Sequence, residues 1–196
     1  MLDANEGWTR KQAVRHVGEI EQVLDLIWVE EPVRRWDADG LAAVSRGVRA
    51  AVATGENLTG LEQYRPLIAA GAVDIVQAAS VWGISHFLRV ATLAHAHDLP
   101  VSPIGTTPIA LLHAATSVPN HLTSELQDLH APIGLSLDLE VEDGSFILGE
   151  TPGIGVTVDE GVIAASTRRP NTVAADSPNV RPEHAGRRLL AVAERQ

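Results

Sequence analysis

Ile27-Trp28-Val29-Glu30-Glu31-Pro32 is a short apolar strand that ends in acids and is stopped by proline. A helix near Leu41 to Val48 follows, and then Ala51-Val52-Ala53-Thr54-Gly55-Glu56, a second apolar strand that runs into an acid. Upstream, Met1 to Asp3 ends the same way, ahead of Ala4-Asn5, Trp8-Thr9 and an amphipathic stretch from Lys11 to about Leu26. Asp3, Glu30 and Glu56 thus recur at intervals of 27 and 26 residues. One strand-helix unit of a parallel β/α barrel takes about 30 residues. A side chain that repeats once per unit at the carboxyl end of the strand returns to the same rim, so three carboxylates from neighbouring strands are expected to meet there. Such an oxygen-only, anionic ligand set suits a hard divalent cation, Mg²⁺ first and Mn²⁺ second.

The alternation continues downstream. Val73-Asp74-Ile75-Val76-Gln77 precedes a helix from about Ser85 to His97, and Leu99-Pro100-Val101-Ser102-Pro103 precedes one near Pro108 to Thr116. His121-Leu122-Thr123-Ser124-Glu125 reads as a sixth strand. Strands apolar on both faces and separated by helices predict an α/β fold with a parallel sheet covered by helices. Six units are legible where a closed barrel uses eight, and the first strand is cut short, so the reading is an incomplete TIM-type barrel that begins inside a domain. Two unpaired parallel edges predict self-association into a homo-oligomer. After Asp138, Leu139-Glu140-Val141-Glu142-Asp143-Gly144 predicts a hairpin or loop excursion with Asp-Gly turn chemistry. The partial barrel domain is set at residues 1–155 and a largely disordered extension at 156–196, since the chain from about Ser166 is rich in Pro, Ala, Asn and Arg without periodicity.

Composition bounds the function. At 196 residues with 45% hydrophobic content the chain can bury one sizeable core. A formal charge of −10 disfavours nucleic acid and anionic membrane as partners, and no run of 18 apolar residues crosses a bilayer. Without cysteine there is no disulfide framework, thiolate site or thiol nucleophile, and with no signal peptide the expected compartment is the cytoplasm. Lys11 is the single lysine, which leaves lysine-base or Schiff-base chemistry almost nowhere to reside.

Taken together, Asp3-Ala4-Asn5 with Trp8, Trp28-Val29-Glu30-Glu31-Pro32, Gly55-Glu56-Asn57 and Val73-Asp74-Ile75-Val76-Gln77 resemble the barrel domain of the enolase superfamily, in its mandelate racemase and muconate lactonizing branch. The resemblance covers residues 1 to about 155. It implies Mg²⁺ held by Asp3, Glu30 and Glu56, with Asn5 a polar neighbour of the metal and Glu125 a strand-end acid facing the same oxyanion. It also implies abstraction of a proton α to the carboxylate of a small substrate, most plausibly in dehydration of a sugar acid, or in racemisation. A proton in that position is weakly acidic, and a divalent ion on the carboxylate oxygens offsets the developing charge.

The chain also departs from the family. No lysine-bearing strand precedes Asp3, Ile104 stands where the family's alternative histidine base would fall, and Ala78-Ala79-Ser80 stands where its orienting aspartate would. A further variant places histidine where Asn5 is. A catalytically silent truncated homologue, or a metal- and acid-binding domain without a general base, is therefore the competing reading. Among the histidines, His95 and His97 read as surface residues and His113 as partly buried, while His86 and His121 are the candidates for a replacement acid or base. Glu31 reads as a structural neighbour of Glu30, and Asn5 has helix capping as its ordinary alternative. Gly153-Ile154-Gly155 lacks the strand-turn-helix context of a dinucleotide loop.

Overall fold

A computed structural model describes residues 1–105, 109–125 and 131–167. Five parallel strands, β1 (Leu2–Asp3), β2 (Trp28–Glu30), β3 (Ala51–Thr54), β4 (Ile75–Ala79) and β5 (Val101–Ile104), form one sheet in sequence order. Helices α1 (Arg10–Ile20), α2 (Ala38–Gly47), α3 (Leu61–Ala69) and α4 (Gly83–His95) connect them, and α5 (Ile109–Ala115) follows β5. This is the β/α-barrel pattern read from the sequence.

Strand periodicity divides the sheet into two faces. Val29, Val52, Val76, Ala78 and Val101 join the main core with helix residues such as Val17, Leu41, Val44, Leu67, Phe87, Val90 and Leu111. Trp28, Ala53 and Ile75 form a separate small cluster on the other face. The helices start where the sequence can satisfy their first amides. Thr9 caps α1 in a reciprocal box with Gln12, whose Oε1 accepts from the Thr9 amide at 3.0 Å. Asp37 caps α2 through the Gly40 amide at 3.0 Å. Asn5 therefore has no capping role at α1.

The sixth strand is smaller than expected. His121 makes a single parallel bridge to Val101, and Leu122 to Glu125 form no strand. Residues 122 and 125 still follow β5, since the Leu122 and Glu125 amides donate to the carbonyls of Val101 and Pro103 at 3.0 and 3.1 Å. No described strand pairs with the far side of this segment, so half of its ladder is missing.

The excursion is a hairpin, as its Asp-Gly dipeptide requires. Strands β7 (Leu139–Glu142) and β8 (Ser145–Leu148) meet at Asp143 and Gly144, whose φ values of 49° and 75° suit a primed turn. Strand β6 (Leu135–Leu137) pairs antiparallel with β9 (Val156–Val158), and α6 (Glu160–Thr167) follows. Residues 156–167, at the start of the extension set at 156–196, thus carry a strand and a helix. The alternation in Val156-Thr157-Val158 is too short to announce itself without its partner. The rest of that extension lies outside the described residues. Among the described residues, no helix is long and apolar enough to cross a membrane.

Candidate functional site

The carboxyl ends of β1, β2 and β3 put Asp3, Glu30 and Glu56 on one rim. Asp3 and Glu30 are register partners, and Glu56 lies two residues beyond the last residue of β3. Gly55 makes that last step possible. Its φ of +131° is open to glycine, and a Cβ there would fall 2.4 Å from the Gln77 carbonyl oxygen. The buried Tyr64 hydroxyl secures the same junction, 2.9 Å from the Gly55 carbonyl oxygen and 3.1 Å from that of Gln77. Burial pushes its phenol well above the usual tyrosine range.

A cavity of about 420 Å³ opens beside this rim. Asp3, Trp28, Glu30, Ser102, Ile104 and Glu125 are among its lining residues, so the structure brings Glu125 to the same space as two of the three candidate ligands. The Glu125 Oε2 accepts from the Gly105 amide at 3.0 Å. Glu56 does not line the cavity, but the charges of Glu30 and Glu125 act on it.

The electrostatics are those of crowded anions. Burial is the main cause that raises Glu30 above the usual carboxylate range, and the charges of Asp3 and Glu125 add to it. Burial pushes Glu56 up to about 7, with Glu31, Glu30 and Glu125 contributing. Glu31, buried at 2% exposure, is likewise raised, first by burial. Each acid has found a neutral donor: Asn5 serves Asp3 through its backbone amide at 2.8 Å and its side chain, Trp28 Nε1 serves Glu30 at 3.3 Å, and Asn57 Nδ2 serves Glu56 at 2.9 Å and Glu31 at 3.0 Å. Asn5 thus contacts Asp3 through both its backbone and its side chain.

The expected coordination shell is not ready-made. Among the described residues, no group of three or more His, Asp or Glu side chains is gathered tightly enough to hold a metal. The three carboxylates take separate hydrogen-bond partners, with Glu30 within electrostatic reach of Asp3 and Glu56 within reach of Glu30. The donor chemistry nevertheless fits Mg²⁺. The ligands are hard oxygens, their crowding is the kind a divalent ion relieves, and two buried polar side chains nearby lack partners. These are Gln77, 0% exposed with both amide atoms unbonded, and Ser102, 1% exposed with its hydroxyl unbonded. The Gln77 amide lies near enough to Glu30 to favour its charged form, yet makes no hydrogen bond of standard length.

Sequence reasoning did not single out Gln77 and Ser102 as site residues. A polar residue at the inward register of an otherwise apolar strand was the available signal, since Gln77 and Ser102 are partners across β4 and β5.

No histidine or lysine base stands among the described residues of the cavity. Ile104, which stands where the resemblance would put a histidine base, lines it. The side chains of Ala78 and Ala79 have no proton-transfer group, and the Ser80 hydroxyl lies beside Gly105. His86 is half-buried against the Tyr64 ring, 6.1 Å between centroids, with Nε2 unbonded. His121 is exposed, its Nε2 2.9 Å from the Ser124 hydroxyl. His95 and His97 are exposed, and His113 is half-buried with Nε2 unbonded.

Comparison with known proteins gives this geometry a context. Residues 1–162 match the family described as Enolase C-terminal domain-like. L-talarate/galactarate dehydratase from Salmonella typhimurium is 34% identical over 162 residues, which span 82% of this chain and 40% of that protein. A Bradyrhizobium enolase solved in complex with magnesium and mandelic acid superposes with a TM-score of 0.75 at 32% identity, covering 84% of this chain and 45% of that one. L-Talarate dehydratase from Polaromonas sp. JS666, solved with Mg and L-glucarate, gives a TM-score of 0.72 at 30% identity, covering 83% and 45%. The chain therefore spans less than half the length of each of these relatives.

Proposed function

The chain belongs to the enolase C-terminal domain-like family, in its mandelate racemase/muconate lactonizing branch, and from that premise we propose that it holds a divalent cation and the carboxylate of a small acid, in the chemistry of sugar-acid dehydration or racemisation. The observation that carries this reading is the alignment of Asp3, Glu30 and Glu56 at the ends of three successive parallel strands, with Glu125 beside the same cavity. A relative named for talarate and galactarate, and neighbours solved with L-glucarate and with mandelic acid, support an α-hydroxy or polyhydroxy acid as the ligand class.

In this reading Asp3, Glu30 and Glu56 hold Mg²⁺, with Mn²⁺ as a substitute, and Asn5 fixes the Asp3 carboxylate in position. When bound, the cation supplies Lewis-acid stabilisation of the charge that develops on a substrate carboxylate during α-proton loss. Ser102 offers its unbonded hydroxyl on the inner face to substrate hydroxyls, Gln77 supports Glu30 from behind it, and Glu125, oriented by the Gly105 amide, faces the substrate's carboxylate end. The cytoplasm is the proposed compartment, a homo-oligomer the proposed assembly, and neither nucleic acid nor membrane a proposed partner.

Binding without turnover by this polypeptide is the second reading, favoured by the lack of histidine and lysine among the described residues lining the cavity. Two measurements separate the readings. Calorimetric Mg²⁺ binding that disappears in a Glu30→Gln, Glu56→Gln double substitution supports the metal rim, whereas no binding by folded wild-type chain overturns it. Exchange of the substrate α-proton in D₂O, followed by NMR on galactarate, glucarate and mandelate, then distinguishes an enzyme from a binding domain.

A further inference from the structure

Three β/α loops leave the rim immediately after Asp3, Glu30 and Glu56, and one side chain joins all of them. Arg35, in the loop after β2, takes the Glu6 carboxylate in a fork, Nε to Oε1 at 2.5 Å and Nη2 to Oε2 at 2.9 Å, while its backbone amide adds a third bond to Oε1 at 2.9 Å. Its remaining arm, Nη1, donates to the Asn57 carbonyl oxygen at 3.4 Å. Glu6 belongs to the loop after β1 and Asn57 to the loop after β3. Asn57 in turn bonds both Glu31 and Glu56.

The loops need such a tie. Asn5, Glu6 and Glu31 have φ values of 44°, 58° and 39°, left-handed conformations that non-glycine residues hold only where surrounding structure enforces them. Glu6 is 5% exposed and Glu31 2%, so both carboxylates depend on partners supplied from other loops. The Glu6 amide also donates to the Glu31 carbonyl oxygen at 2.8 Å, which couples the two left-handed turns. Arg34, by comparison, is exposed and lies 3.6 Å from Glu6.

We propose that Arg35 is a positioning residue for the cation site: its fork on Glu6 and its bond to Asn57 set the spacing of the loops that carry Asp3, Glu30 and Glu56. This rests on the metal-binding reading above. Charge alone does not accomplish it, because a cation close to the rim repels a second cation, whereas a planar fork fixes direction in two bonds at once. Arg35→Lys keeps the charge and removes the fork, and so separates the two effects.

The test uses the full chain as wild type, Arg35→Lys and, as a control on an exposed neighbour, Arg34→Lys. Amide hydrogen exchange on the metal-free proteins reads the loops directly, and Mn²⁺ titration followed by electron paramagnetic resonance reads the site. Arg35→Lys is expected to speed exchange at residues 5–7 and 57–58 by at least about tenfold, while β3 and β4 amides stay unchanged. It is also expected to weaken Mn²⁺ binding by about 10- to 100-fold, the usual range for partners of metal ligands. Arg34→Lys is expected to leave both near wild type. Unchanged loop exchange in Arg35→Lys overturns the clamp. Faster exchange with unchanged Mn²⁺ affinity overturns its link to the site, leaving a purely structural role. Wild-type chain that fails to bind Mn²⁺ overturns the metal reading itself and, with it, any positioning of ligands.

Discussion

Asp3 and Glu30 are register partners in the parallel ladder of β1 and β2, so two carboxylates stand side by side at the end of neighbouring strands. Parallel register places like side chains at like heights, and two anions at one height repel unless a cation or proton intervenes. The protein answers with neutral donors, Asn5 on one carboxylate and Trp28 on the other.

Replacing Glu30 by Gln removes one member of that pair without changing its shape. Because the folded state disfavours the charged form of Glu30, the metal-free variant is expected to melt at or above the wild-type temperature. Its affinity for Mg²⁺ is expected to fall by at least about 100-fold, the upper end of losses seen for mere supporting partners. Differential scanning fluorimetry with and without Mg²⁺ reads both effects. A wild-type chain stabilised by Mg²⁺ and a variant equally stabilised would remove Glu30 from the ligand set.

Tyr64→Phe deletes the hydroxyl that lies between the Gly55 and Gln77 carbonyl oxygens in a buried position. A loss of about 1 to 3 kcal/mol is expected, the range for a buried carbonyl left short of a partner. Urea unfolding measures it. A difference near zero would mean that the two carbonyls are satisfied without the phenol.

Gly55→Ala tests the turn that delivers Glu56. The Cβ meets the Gln77 carbonyl oxygen at 2.4 Å on a backbone with φ of +131°, so the strand end must shift. The expected destabilisation is about 1 to 3 kcal/mol from the backbone conformation alone, accompanied by weaker Mg²⁺ binding as Glu56 moves. Unaltered stability and binding would show that the turn has another accessible route.

Acid sensitivity follows from Glu6. The hydrogen bond from the Arg35 side chain is the largest cause holding its carboxyl below the usual range, with the backbone amide and the charges of Arg35 and Arg34 in support. A depressed folded-state value adds stability that is present above the unfolded-state value of about 4.5. That stability is lost as pH falls below 4.5 toward the folded-state value. Glu6→Gln is expected to flatten this part of the stability curve, measured by thermal midpoints between pH 5 and pH 3. A wild-type curve without an acid-side decline in that window would contradict the ion pair.

Local chemistry explains how much of this could be read from the chain. Strands such as Trp28-Val29-Glu30 announce themselves because apolar alternation, an acid and a proline lie within six residues, and the hairpin is written in Asp143-Gly144. The Glu6–Arg35 fork spans 29 residues and has no motif, so only the meeting of two loops reveals it. Strand β9 pairs with β6 across 18 intervening residues, and three residues carry too little periodicity to be recognised without that partner. The segment from His121 shows the reverse case. It has strand composition, but composition does not make a strand where, among the described residues, one side of the ladder has no partner. The rim acids were legible as a repeat, whereas their separate hydrogen-bond partners depend on three-dimensional neighbours that spacing alone does not specify.

The indole of Trp28 donates to Glu30 and lines the same cavity, while Trp36 is exposed and Trp82 largely so. Any cation that draws the Glu30 carboxylate away changes the polarity around a buried fluorophore. If the proposed cation site is filled, Trp28 is its optical reporter, readable without a dye or label, and Trp28→Phe, which keeps the partly buried Trp8, is the blank against which that signal is measured.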